Sequence, residues 1–218
     1  MRIVFIICDT LRRDFLGCYG NEWIKTPHID ELAKESVVFD NAYIGSFPTM
    51  PARAEVMAGI HTFHTFGWAP LPPGTPTAQA ILRRHGFVTA LVTDHYQMLA
   101  PGYNYHQGFS AFRFVRGPQN DPFHVTDHVE VKWPCKPEKC RQPELLVLPY
   151  LKNRMTWRYE REWPMAKTVT EAMDWLELNY KHENFLLFLD IFSVHEPWDP
   201  PRWYVDLYDP GYEGEEVI

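Results

Sequence analysis

Three stretches of this sequence are continuously apolar over the length of a β-strand, and each gives way to residues able to do chemistry. Ile3–Cys8 runs into Asp9, Phe87–Val92 runs into Thr93-Asp94-His95, and Phe185–Ile191 runs into Ser193-Val194-His195. A strand with one wet face alternates apolar and polar residues, whereas an unbroken apolar run is the pattern of a strand covered on both faces. Helical patterns lie between these runs. One starts at Thr26-Pro27 and carries Ile29, Leu32 and Ala33 on one face, and a second runs from Thr49 to about Ala58, with Gly59 suited to its end. A third covers 77–85 and closes at Gly86, and a fourth covers 166–181 with Val169, Ala172, Met173, Leu176 and Tyr180 on one face. Val37-Val38-Phe39 and Ala42-Tyr43-Ile44 suggest a short extended stretch. Residues 100–165, rich in aromatics, Pro and turn formers, read as long loops decorating the core. Buried strands alternating with helices predict an α/β fold, a mainly parallel sheet flanked by helices on both faces. In such sheets ligands bind beyond the carboxyl ends of the strands, where Asp9, Asp94, His95 and His195 converge.

The chain has 218 residues, 45% of them hydrophobic, enough for one domain with a core. A net charge of −7 with no basic stripe argues against a nucleic-acid partner. Four cysteines are too few for a disulfide scaffold of this size. No apolar run approaches the ~20 residues of a membrane span. The apolar run after Met1-Arg2 is too short for a secretory leader, so the expectation is a cytoplasmic protein with no membrane partner. The oligomeric state is not legible. The sequence stops at Gly214-Glu215-Glu216-Val217-Ile218, just after the turn-rich Tyr208-Asp209-Pro210-Gly211, which suggests that 1–218 is the front part of a longer catalytic domain.

Asp9 can be a hard-metal ligand or the cap of the next turn. Thr49 is more informative. Pro51 suits a first helical turn and makes Thr49 or Met50 the cap, beside free N–H groups and the positive end of the helix dipole. Arg53, four residues on, can share a face with Thr49. A hydroxyl, a helix start and a planar guanidinium together can hold a tetrahedral oxyanion. A capping Thr beside a surface Arg is the plainer alternative.

The ordered set of motifs carries a resemblance. Ile7-Cys8-Asp9-Thr10 through Cys18-Tyr19-Gly20-Asn21, then Thr26-Pro27-His28-Ile29-Asp30, then Phe39-Asp40-Asn41-Ala42-Tyr43 resemble the opening of the sulfatases within the alkaline-phosphatase superfamily. That family's C-x-P-x-R signature falls on Thr49-Met50-Pro51-Ala52-Arg53, its H-x-G-F segment on His106-Gln107-Gly108-Phe109, and its H-x-P segment on His195-Glu196-Pro197. The resemblance implies an alkaline-phosphatase-like fold and a hydrolase of small-molecule sulfate or phosphate esters. It implies that Asp9 binds a divalent metal (Mn, Zn or Ca), that Thr49 is metal ligand and nucleophile, that Arg53 steadies the nucleophile, and that His195 contacts substrate or protonates the leaving oxygen. Asp94 and His95 fall where sulfatases carry substrate-contacting residues, so only their location is carried over.

Two departures shape the expectation. Sulfatases convert Cys or Ser at the signature position to formylglycine, and Thr49, with a methyl on its β-carbon, cannot become an aldehyde. No formylglycine is expected. Thr is a competent nucleophile in superfamily members that cleave phosphodiesters. Thr10 stands where many sulfatases have a second Asp ligand, and relatives that hydrolyse phosphonate monoesters also lack it. The alternative is a catalytically silent relative that binds a sulfated or phosphorylated ligand. The family's second metal-binding segment has no match, so a chain ending at Ile218 would be inactive. Asp127-His128 sits in an irregular loop in the wrong order to replace it. His124, His128, Cys135 and Cys140 read as loop residues better than as a zinc cluster. His61 and His64 suit packing or surface roles better than the mouth of the pocket, and Trp68, Trp133, Trp157, Trp163, Trp198 and Trp203 suit either pocket walls or core.

Overall fold

A computed structural model of the chain describes residues 1–62, 64–65 and 67–215. Glu216-Val217-Ile218 lie outside the described residues. The sheet has four parallel strands, β1 (Arg2–Cys8), β2 (Val88–Thr93), β3 (Ala111–Phe114) and β4 (Phe185–Ile191), in the order β1-β4-β2-β3. The strands alternate with helices α1 (Pro27–Lys34), α2 (Thr49–Ala58), α3 (Ala78–Arg84), α4 (Tyr96–Leu99), α5 (Leu148–Arg154), α6 (Pro164–Asn179) and α7 (Arg202–Val205).

Both faces of β2 and β4 are covered, as their unbroken apolar runs require. Along β4 the side chains alternate. Leu186 and Phe188 pack with Met50, Ala54 and Met57 of α2, while Leu187, Leu189 and Ile191 pack with Ala172 of α6. On α2, Met50, Arg53, Ala54 and Met57 follow the i, i+3, i+4, i+7 spacing of one helix face, so Arg53 rides on the stripe that meets the sheet. The N-terminal turn of α2 is pinned from outside. The buried Tyr105 hydroxyl donates to the carbonyls of Met50 (3.2 Å) and Ala69 (3.0 Å), and the Thr62 hydroxyl donates to that of Pro51.

Several local expectations are corrected. Residues 37–44 form no strand, and Val37, Phe39, Tyr43 and Ile44 are exposed. The 100–165 region is not all loop. It holds β3, whose N–H and C=O groups complete the edge of β2, and α5, which closes a separate aromatic cluster with Tyr150 and Leu151. β1 is not fully buried: among the described residues it is an edge strand paired only with β4, and little packs on its faces, so Val4, Phe5 and Ile6 are exposed. The apolar residues of α1, Ile29 and Leu32, are exposed rather than packed. On α6 the sheet-facing residues are Val169, Ala172, Trp175 and Leu176, whereas Met173 and Tyr180 face outward. Among the described residues no helix is long and apolar enough to cross a membrane.

Candidate active site

The strand ends meet where the sequence places them. Asp9 directly follows β1 and is buried. Its N–H donates to the Ile191 carbonyl at 2.9 Å, and its own carbonyl accepts from the Val194 N–H at 3.0 Å. These bonds stitch the end of β1 to the segment that carries His195. Arg53 reaches the same place from α2. Its Nε and one terminal nitrogen donate to the two carboxylate oxygens of Asp190, at 2.9 and 3.0 Å, and that terminal nitrogen also lies 3.3 Å from Asp9 Oδ2. Asp190 shares the face of Leu186 and Phe188 by strand alternation, which is why it meets α2. The guanidinium is therefore a bridge between two buried carboxylates, and its fork is engaged rather than open to a ligand.

His95 Nε2 lies 3.4 Å from Asp9 Oδ2. Asp9 Oδ2 and both ring nitrogens of His95 are buried without a hydrogen bond among the described residues. Buried polar atoms are ordinarily paired, so these mark a place where a further polar or charged group belongs. Burial raises the Asp9 carboxyl, but the His95 ring and the Arg53 guanidinium outweigh it and hold the group below its ordinary value. Asp94 behaves oppositely. Burial, with Asp190 adding, pushes it up to about 7 even though it accepts the Phe192 N–H at 2.7 Å. Thr10, next to Asp9, has a φ of +53°, a region that β-branched residues avoid.

Thr49 is the first residue of α2 and is half-buried. The cap is Pro48, not Thr49 or Met50 as the Pro51 spacing suggests, because the helix begins one residue earlier, with the Ala52 N–H bonded to the Pro48 carbonyl. The Thr49 hydroxyl therefore caps nothing, and the N–H groups of Thr49 and Met50 are left at the helix start. His195 is half-buried. Its Nδ1 is 2.8 Å from the Glu196 carbonyl, an acceptor only, so the proton sits on Nδ1 and Nε2 is the nitrogen left for a ligand. Phe192 stands between the two histidines, its ring 5.1 Å from that of His95 and 4.6 Å from that of His195.

The family model for Sulfatase matches residues 2–216 of this chain. The chain belongs to the sulfatase family. It is 27% identical to an arylsulfatase of Clostridium perfringens over 94% of its own length and 46% of that relative's, so it spans about half the length of the relative it matches. In solved structures, this sulfatase-family chain is similar to the phosphonate monoester hydrolase of Agrobacterium radiobacter (17% identity, TM-score 0.62, 93% of this chain and 43% of that one). It is also similar to the C-terminal periplasmic domain of EcEptC from Escherichia coli in complex with Zn (12% identity, TM-score 0.60, 97% and 49%). At these identities the structural likenesses establish the alkaline-phosphatase-like fold alone.

The structure thus brings Asp9, Arg53 and His95 together with Asp190, with His195 one ring away, whereas the sequence-predicted Asp94 is wholly buried and bonded to the Phe192 N–H and to Thr168 of α6. Asp190 is the member the sequence reading missed. Its signal is the lone carboxylate in an otherwise apolar buried strand, which needs a cationic partner. The weaker candidates separate. Asp127 is an exposed partner of Lys152, His61 pairs with Glu55, and His124 bonds Asn153. Cys135 and Cys140 lie 3.5 Å apart, but among the described residues no three His, Cys, Asp or Glu side chains are grouped to hold a metal. Trp157, Trp163 and Trp198 line one cavity, while Trp68 and Trp133 lie outside it.

Proposed function

We propose that the protein containing this chain is a metal-dependent hydrolase of sulfuric, phosphoric or phosphonic esters, with Thr49 as nucleophile. The observation that carries the reading is the Thr49 hydroxyl, free of capping duty at the start of a helix that Arg53 locks onto the carboxylates at the strand ends. The helix N-terminus offers N–H groups and a positive dipole to an anionic ester. Arg53 acts as a positioning residue, holding α2 against Asp190 and Asp9.

The donor set fits part of a divalent-metal site. Asp9 supplies a buried carboxylate oxygen 3.4 Å from His95 Nε2, and Thr49 supplies a hydroxyl at the start of α2. Among the described residues no three His, Cys, Asp or Glu side chains complete such a site. When bound, a divalent cation supplies a Lewis acid that lowers the pKa of a hydroxyl and offsets charge on the ester oxygens. The chain's own residues do the rest. Thr49 Oγ1 gives its proton to water and forms a bond to phosphorus or sulfur as the bond to the leaving oxygen breaks. A protonated His195 donates from Nε2 to that oxygen, and water then cleaves the Thr49 ester. The likeness to an arylsulfatase and to a phosphonate monoester hydrolase supports both substrate classes, and the absence of a Cys or Ser at position 49 favours phosphoryl and phosphonyl esters.

The same Thr49 motivates a second reading, a relative that binds such esters without cleaving them. A panel of aryl sulfates, phosphate mono- and diesters and phosphonates, offered to the full-length protein with Mn, Zn or Ca, separates the two. Turnover that Asp9→Ala removes supports the hydrolase, and metal binding without turnover of any ester supports the binder.

A further inference from the structure

Away from the charged cluster, two thiols sit in contact. The Sγ atoms of Cys135 and Cys140 lie 3.5 Å apart with no bond between them. The local sequence Cys135-Lys136-Pro137-Glu138-Lys139-Cys140 builds this contact. Pro137, with its φ fixed at about −65°, opens a single 3-10 turn over Pro137–Lys139. The Lys139 N–H donates to the Lys136 carbonyl at 2.9 Å, and the Cys140 N–H to the Pro137 carbonyl at 3.0 Å. The chain is thereby folded back, and the two side chains meet on one side of the turn.

Their surroundings differ. Cys140 is buried in the aromatic cluster with Tyr150, Leu151 and Trp157, whereas Cys135 packs against the edge of that cluster and is half-buried. Among the described residues no third His, Cys, Asp or Glu joins them, which leaves sulfur–sulfur chemistry rather than a structural zinc. Closing from contact to the ~2 Å of an S–S bond asks for a movement of about 1.5 Å, within reach of side-chain rotation.

We propose that Cys135 and Cys140 form a reversible disulfide that braces the aromatic cluster, a modification site independent of the ester chemistry. The oxidant is a small-molecule disulfide. Cys135, the more accessible thiol, attacks one of its sulfurs as thiolate, and one small thiolate leaves. The Cys140 thiolate then attacks Cys135 Sγ in the mixed disulfide, and the second small thiolate leaves. Each leaving thiolate takes up the proton that its attacker lost, so two protein thiols are oxidised as one small disulfide is reduced to two thiols. The six-residue ring so closed restrains the turn in opened states of the protein.

The test equilibrates the full-length protein with mixtures of oxidised and reduced glutathione, blocks free thiols with N-ethylmaleimide, and reads tryptic peptides by mass spectrometry. Cleavage after the exposed Lys139 separates the two cysteines, so a bridge joins peptides 133–139 and 140–141. The linked pair is expected to accumulate as the mixture becomes oxidising and to disappear when reduced glutathione is restored to the folded protein. Cys135→Ser and Cys140→Ser are each expected to hold at least tenfold more glutathione on the remaining thiol than wild type does, because its partner no longer displaces the adduct. Brief trypsin treatment of the folded protein is expected to nick after Lys139 at least tenfold more slowly in the oxidised form. Glutathione adducts as abundant in wild type as in the single variants, or links to Cys8 or Cys18 instead, would overturn the bridge. Equal nicking of both forms would overturn the brace.

Discussion

Removing the Asp190 carboxylate tests whether the Arg53 bridge holds the site together. In Asp190→Leu, Arg53 loses two hydrogen bonds, at 2.9 and 3.0 Å, and keeps only Asp9 at 3.3 Å. Both partners are almost wholly buried, at 6% and 0% exposure, so water does not replace the lost carboxylate. Breaking a buried pair by deleting one partner costs about 3–5 kcal/mol. Asp9 offsets part of this, which puts the loss at about 3 kcal/mol, roughly a hundredfold in the folded-to-unfolded ratio. Arg53→Met is expected to cost a similar amount, because it leaves two carboxylates facing each other. The double variant Arg53→Met/Asp190→Leu buries apolar groups of similar volume and is expected to lose clearly less than the sum of the singles. Urea titration followed by circular dichroism reads all four proteins. A change within about 0.5 kcal/mol for Asp190→Leu, or singles that simply add, would refute the bridge.

Other consequences follow from the same contacts. Asp94 is raised in the folded state, so its contribution to stability is complete below its unfolded value near 3.8 and is lost as pH rises through about 7. Wild type is therefore expected to lose about 4 kcal/mol relative to Asp94→Asn between pH 4 and pH 8, and an unchanged difference across that range would contradict the burial account. Tyr105→Phe removes the hydroxyl that bonds the Met50 and Ala69 carbonyls. It should cost about 1 kcal/mol in denaturation and lower kcat more than it raises KM, since it loosens the turn that carries Thr49. Thr10→Asn relieves a β-branched residue at φ +53° and should raise the unfolding free energy by about 1 kcal/mol. His195→Gln should slow esters of poor leaving groups by about 10²–10³ and 4-nitrophenyl esters far less, as loss of a general acid requires. Equal slowing of both would point to a binding role instead.

Much of the frame was legible because burial on both faces writes itself into strands. The apolar runs around β1, β2 and β4 and the chemistry at their ends needed no partner to be seen. β3 was not legible. Its four residues, Ala111-Phe112-Arg113-Phe114, alternate at the edge of β2 inside an irregular region, and only the sheet supplies their hydrogen bonds. β1 misled in the other direction, since its apolar run reads as wholly buried while the described residues cover one side of it. Thr49 and Arg53 were found by their spacing around Pro51, but the role of Arg53 depends on Asp190, which lies 137 positions away and carries no local pattern. The cap assignment failed by one residue for a local reason, because Pro48 supplies a carbonyl to the first helical bond and needs no side chain to do it.

The central claim is that Thr49 Oγ1 attacks the ester. It is tested most directly by rapid acid quench of the full-length protein with an aryl phosphonate ester and the activating metal, followed by mass spectrometry of the peptide containing residue 49. A phosphonyl adduct on Thr49, absent from Thr49→Ala together with turnover, is the predicted result. Turnover by Thr49→Ala at the wild-type rate would contradict the claim.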